Sequence, residues 1–252
     1  MIRKFRSTNS KMTACVAGLY CSALVSLSAN AALIDRGGGL IFDTTLNITW
    51  LQDANYFRTQ RASNRNIAQE IINAVGSIAD PSFGNYTLTL ADFGPTAGDI
   101  SWFGALAWVQ QLSYFDNVAN RTITGWRLPT ALNEDGTGPC DGFSCTRSEL
   151  GHLFFSDLGG QSVSGNIVSV DGVTLTNLQP SYWTSTSGPS PFDFNAFLFS
   201  MNGGAQGVSQ KNYHLNAWAI HPGDVALSSV PIPAAFWLLA SALGFLRANR
   251  RS

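Results

Sequence analysis

Leu40, Ile41 and Phe42 form a short apolar run directly after Gly37-Gly38-Gly39, and Leu46-Asn47-Ile48-Thr49-Trp50-Leu51 alternates apolar with polar residues. Side chains of a strand point to opposite faces in turn, and Asp/Thr clusters favour turns, so the two runs predict a β-hairpin closed through Asp43-Thr44-Thr45. The period then lengthens. Ile67, Ile71, Ile72 and Val75 recur at helical spacing and predict a helix over 62–75 with one apolar face. Trp102, Leu106, Val109 and Leu112 repeat that pattern and predict a second helix over 101–115, with Ser101 as its cap. Thr146-Arg147-Ser148-Glu149 reads as a capping box. It opens a third helix through Leu150, Leu153, Phe154 and Leu158, stopped by Gly159-Gly160.

The remaining segments return to strand periodicity. Tyr86-Thr87-Leu88-Thr89-Leu90 reads as a short strand or loop edge inside a Gly/Asp/Pro-rich insertion. Tyr182-Trp183-Thr184-Ser185-Thr186, Ala196-Phe197-Leu198-Phe199-Ser200 and Leu215-Asn216-Ala217-Trp218-Ala219-Ile220 read as three strands. Helices early and strands late predict an α+β domain with an antiparallel sheet.

Composition changes the picture mainly at the ends. Of 252 residues 45% are hydrophobic and only 12% charged, about half the charged share of an ordinary soluble domain. The formal net charge of −1 hides a segregation of charge. Arg3, Lys4, Arg6 and Lys11 precede any acid, and Arg247, Arg250 and Arg251 follow the last one. The stretch between holds the other 8 basic residues and all 16 acidic ones, a net of −8. A polyanion-binding surface needs the opposite sign, so nucleic acid is excluded as a partner.

Both ends read as addresses. The basic start, an apolar run from Met12 to Leu27, and the small-x-small pattern Ala29-Asn30-Ala31 match a secretory signal cut between Ala31 and Ala32. The expected partners there are the secretion translocon and signal peptidase. Cys15 and Cys21 leave with this segment, and no Cys stands at the expected mature start, which argues against a lipoprotein. At the other end, Val230-Pro231-Ile232-Pro233-Ala234-Ala235 precedes an apolar run ending at Leu246, and Arg247, Arg250 and Arg251 close the chain. As a helix, residues 232–246 span about 22 Å, short against a hydrocarbon core of about 30 Å. The segment is expected to insert as a short transmembrane helix aided by arginine snorkelling, with its basic flank cytoplasmic.

This tripartite tail resembles the PEP-CTERM sorting signal of Gram-negative bacteria, in its VPxPAA variant, with Ile232 in place of the usual Glu between the prolines. The resemblance implies recognition by an exosortase, a membrane cysteine transpeptidase-like enzyme. It also implies loss of the tail and delivery to the cell surface or medium of bacteria that make exopolysaccharide. The chain thus divides into a signal peptide (1–31), one domain (32–229) and a sorting tail (230–252).

A second resemblance covers the domain. Gly39-Leu40-Ile41-Phe42-Asp43 through Thr49-Trp50-Leu51-Gln52-Asp53 resembles the opening of the Lcl C-terminal domain family. So, in order, do Ala105-Leu106-Ala107-Trp108, Gly125-Trp126-Arg127-Leu128-Pro129-Thr130, Ser148-Glu149-Leu150-Gly151-His152-Leu153, Tyr182-Trp183-Thr184-Ser185-Thr186 and Ala217-Trp218-Ala219-Ile220-His221-Pro222-Gly223. That family looks related to the C-type-lectin-like fold. The resemblance implies a compact α+β domain with long loops and no fixed activity.

Chemistry-bearing residues are sparse. Cys140 and Cys145 are the cysteines left to the mature domain. Zinc would require two more ligands nearby, so in an oxidising envelope a local disulfide is expected. His152 follows Glu149 by one helical turn, but the second Glu-x-x-His pair of a bundle metal site is missing. The pair therefore reads as a helix-surface or interface contact. His214 shows no metal spacing, and His221 before Pro222-Gly223 reads as structural. Asn133-Glu134-Asp135-Gly136 and Asp141-Gly142 form an oxygen-rich loop without the EF-hand pattern or a lectin calcium tripeptide; Gln179-Pro180-Ser181 lacks the carboxylate. The loop reads as solvated, with no metal and no cofactor expected. No Gly-x-Ser-x-Gly elbow or phosphate loop occurs, and the cysteines of formylglycine-generating enzymes have no counterpart. Trp50, Trp102, Trp108, Trp126, Trp183 and Trp218 could stack on sugar rings from a groove, but each sits in an apolar-periodic element and reads as core.

The expectation is an exported, non-enzymatic surface or matrix protein, processed by an exosortase and associated with exopolysaccharide or biofilm. The alternatives are a periplasmic binding or adhesin module kept on the inner membrane and, with less support, an enzyme acting on extracellular polymer.

Overall fold

The computed structural model describes residues 33–80, 82–94, 98–160, 162, 167–170, 172–191 and 193–225. The signal segment with the Ala31–Ala32 cut, the sorting motif Val230–Ala235, the apolar run and the arginines Arg247, Arg250 and Arg251 lie outside these residues. Among the described residues no helix is long and apolar enough to cross a membrane.

The chain opens with β1 (Leu33–Asp35), β2 (Leu40–Asp43) and β3 (Ile48–Leu51), an antiparallel meander. The hairpin forms, but its turn runs through residues 44–47, so Leu46 and Asn47 stay outside the strand. Asp43 sets this turn: its Oδ1 accepts from the backbone N–H of Thr45 (3.0 Å) and Leu46 (2.9 Å). Asn47 then takes the left-handed conformation at φ 51°, which asparagine tolerates. All four residues of β3 are buried.

Two helices, α1 (Tyr56–Ser63) and α2 (Ile67–Val75), follow where one was expected over 62–75. The break lies at Asn64, whose side-chain oxygen accepts from the Asn66 N–H at 3.0 Å. Such local side-chain bonds compete with the helical ladder. The hairpin β4 (Ser77–Asp80) and β5 (Gly84–Thr87) comes next, with a 3₁₀ turn at Leu90–Asp92. The strand expected over 86–90 therefore stops at Thr87.

The second helix, α3 (Trp102–Gln111), is shorter than 101–115. Ser101 caps it as expected, accepting from the Gly104 N–H at 3.1 Å and donating to Asp92 at 2.7 Å. Beyond Leu112 the chain turns extended and enters β6 (Tyr114–Asp116), which pairs with β7 (Arg121–Ile123). Asp116 holds the connecting turn by accepting from the Val118 and Ala119 N–H groups.

After β8 (Gly142–Phe143) comes the third helix, α4 (Glu149–His152), continued by a π-helical turn at Leu153–Asp157. Its cap is Ser148, accepting from the Gly151 N–H at 3.2 Å, so the cap lies two residues beyond Thr146 and, with glycine three residues on, the expected reciprocal box does not form. Glu149 turns away to meet the Arg127 guanidinium with both oxygens and to accept from the Thr130 N–H at 2.7 Å.

The last third holds the hairpin β9 (Ile167–Val170) and β10 (Val173–Thr176), then β11 (Ser181–Ser187), β12 (Asn195–Ser200), β13 (Ala205–Gln210) and β14 (Ile220–Pro222). One antiparallel sheet has the order β1-β2-β3-β14 and another β11-β12-β13-β8. Residues 215–219 do not form the expected strand. Leu215 bridges to Ile100 and Asn216 to Tyr182, and only at Ile220 does the chain join β3. The fold is α+β with antiparallel sheets, and its first and last described strands share one sheet.

The six tryptophans of the domain are all core, none more than 4% exposed. Five use the indole N–H to tie segments together. Trp102 donates to the Thr184 carbonyl, Trp183 to Ile100, Trp218 to Leu51, Trp126 to Ile123, and Trp108 to the Gln60 side chain. Trp50 packs on Trp218 with ring centres 5.0 Å apart, and its N–H has no well-formed hydrogen bond.

Candidate functional site

Asp43 closes β2, and its turn bonds fix the carboxylate plane. Oδ1 is occupied by the two backbone donors, which leaves Oδ2 buried without a well-formed hydrogen bond, with the Trp50 indole beside the carboxylate. His152 ends α4 and Asp157 ends the π turn. An α-helix would put residues five apart on different sides, whereas the wider π turn repeats every five residues or so and brings them together. The His152 Nε2 lies 3.9 Å from Asp157 Oδ2, and ligand-type atoms of Asp43, His152 and Asp157 all lie within 4.8 Å of one another. Asp43 is 1% exposed and the Asp157 side chain 2%.

The electrostatics of this cluster are unusual. His152 Nε2 and both oxygens of Asp157 have no hydrogen-bond partner, although a buried carboxylate normally collects several donors. Burial, and secondarily the neighbouring Asp43 charge, pushes the Asp157 carboxyl up to about 7. Burial also raises Asp43, against the opposing pull of the Leu46 and Thr45 N–H groups, of His152 and of the Trp50 indole N–H beside it. On the far side of the imidazole, Glu134 Oε1 stands 3.8 Å from Nδ1. His152 thus faces Glu134, Asp43 and Asp157. Its expected partner Glu149 is engaged with Arg127 instead.

The other sequence candidates stay apart from this cluster. Cys140 and Cys145 are joined by a disulfide, as expected. Asp135, in the oxygen-rich loop, bonds Thr137 and pairs with Arg147, contacts that hold its carboxyl down at about 2. His214 has its Nε2 2.8 Å from the Ala91 carbonyl oxygen. His221 sits with Nε2 3.1 Å from the Thr124 carbonyl oxygen and its ring against Trp126, a structural setting as read. A groove of about 490 Å³ runs between α1, α2 and α3, lined among others by Tyr56, Gln60, Asn64, Glu70 and Trp108. Trp108 is only 1% exposed there, so it offers no open ring face for stacking.

Sequence reading missed Asp43 and Asp157. Asp43 follows an apolar run and Asp157 sits beside Phe154 and Leu158, so a carboxylate at the edge of a core segment is the only local signal. No protein-family model, curated protein or solved structure matches the chain.

Proposed function

We propose that the chain is an exported, non-enzymatic protein of the bacterial surface or extracellular matrix, delivered by the secretion translocon and released from its tail by an exosortase. The observation that carries this reading is the ordered tail: Pro231-Ile232-Pro233, an apolar run, then Arg247, Arg250 and Arg251. Signal peptidase removes 1–31, the tail holds the domain transiently on the inner membrane, and the mature product associates with exopolysaccharide. The Lcl-like blocks and the α+β build with antiparallel sheets support a C-type-lectin-like domain. The Cys140–Cys145 disulfide suits an oxidising compartment. β14, the last described strand, lies in the same sheet as β1, the first.

The test is fractionation of cells with and without the exosortase, using an internally tagged chain. Processed protein outside the cell only in the exosortase-positive strain is the expected result. Replacing both Pro231 and Pro233 with Ala should trap the unprocessed form, since the motif is lost and the apolar run survives. Full-length protein in the inner membrane of both strains would instead establish the tethered periplasmic module.

A further inference from the structure

We propose that Asp43, His152 and Asp157 form a structural binding site for one divalent transition-metal ion of the zinc class, linking the first hairpin to the α4–π segment. Two independent features point to a ligand. The three donor atoms converge within 4.8 Å. Each also belongs to a residue at least nine-tenths buried and carries an atom without a well-formed hydrogen bond: Asp43 Oδ2, His152 Nε2 and both oxygens of Asp157. A buried carboxylate with no donor at either oxygen, as at Asp157, beside a second buried carboxylate is strongly unfavourable unless a cation neutralises the pair. Among the described side chains, no lysine or arginine pairs with either of them; their basic neighbour is the His152 ring itself.

The donor set selects the ion. Calcium and magnesium take oxygen ligands, whereas one imidazole with two carboxylates suits zinc and its neighbours. Ligands about 2.0–2.2 Å from a single ion stand roughly 3–4 Å apart, so the cluster closes on a metal by side-chain movements of about 1 Å. Glu134 Oε1, 3.8 Å from His152 Nδ1, stands where a small shift would make the carboxylate bond that typically orients a metal-bound histidine. The ligand side chains are at most 11% exposed, which favours a structural role over a catalytic one. The linkage spans the chain, since Asp43 belongs to the opening hairpin and the other two ligands to the helix after the disulfide.

Purified mature protein, stripped with a chelator, is titrated with zinc chloride in competition with a chromophoric chelator, alongside Asp157→Asn, His152→Gln, Glu134→Gln and His214→Gln. Near-UV circular dichroism establishes that each variant is folded. One zinc per chain is expected for the parent and for His214→Gln, with affinity about 100-fold weaker or worse in Asp157→Asn and His152→Gln. Glu134→Gln should weaken binding about 10-fold. Asp157→Asn removes a buried charge at nearly constant shape, so its folded apo-form separates loss of a ligand from loss of the fold. No zinc binding by the parent, undiminished binding in both ligand variants, or a preference for calcium over zinc would overturn the proposal.

Discussion

Gly151→Ala should destabilise the protein by about 3 kcal/mol or more, although glycine to alanine within a helix ordinarily stabilises by about 1 kcal/mol. The sign reverses because the helix face at Gly151 lies against the chain that precedes it. A Cβ there would stand 1.8 Å from the Cys145 carbonyl oxygen and 2.8 Å from Ser148 Oγ. The first is backbone beside a disulfide, and the second is the cap that accepts from the Gly151 N–H. Neither can retreat without undoing the start of α4 and displacing His152, the next residue. Denaturant midpoints measure the effect. Gly203→Ala is the comparison, since its Cβ would meet only Phe143 at 3.9 Å, and it should stay within about 0.5 kcal/mol of the parent. A Gly151→Ala protein as stable as the parent would show that the capped helix is placed differently.

Lys211→Met should cost about 3–5 kcal/mol at neutral pH, the usual penalty for removing one member of a buried ion pair. Lys211 is 1% exposed, its ammonium bonds Asp80, and it lies 4.7 Å from the centre of the Trp102 ring. Burial alone would raise the Asp80 carboxyl, but Lys211 and the N–H groups of Ser82 and Phe83 outweigh it, and the group is held below its ordinary value. In the parent, this pair therefore contributes stability above the unfolded carboxylate range near 3.9, and loses it as the pH falls through the lower folded value. In Lys211→Met the charge balance inverts, and the Asp80 carboxyl rises. The deficit should be largest at neutral pH and shrink in acid, as Asp80 takes up a proton. Adding Asp80→Asn to Lys211→Met should recover a large part of the loss, since the amide oxygen still accepts from Ser82 and Phe83. A pH-independent deficit would exclude the unpaired carboxylate as its cause.

Periodicity made the first hairpin, α2, α3, the α4 region, β11 and β12 legible, because each buries one face and its apolar spacing records that face. Boundaries failed where polar side chains acted locally. Asn64 splits the first helical region, Asp116 turns the chain into a hairpin, and Ser148 takes the cap from Thr146. Residues 215–219 alternate like a strand but pair by single bridges with two different segments, a tertiary choice without a local trace. The tryptophans were legible as core because each lay on an apolar stripe. The carboxylate–imidazole cluster was not legible. His152 and Asp157 share a side only through the π turn, and Asp43 reaches them from a distant strand.

The central claim is that a folded domain leaves the cell after both ends of the chain have been cut away. Intact-mass analysis of the protein collected outside exosortase-bearing cells tests it most directly. The expected species begins at Ala32, lacks the apolar run and its arginines, and is about 2 Da lighter than the dithiol form through the Cys140–Cys145 bond. A product that keeps Met1, or that still carries Phe236 to Ser252, would contradict it.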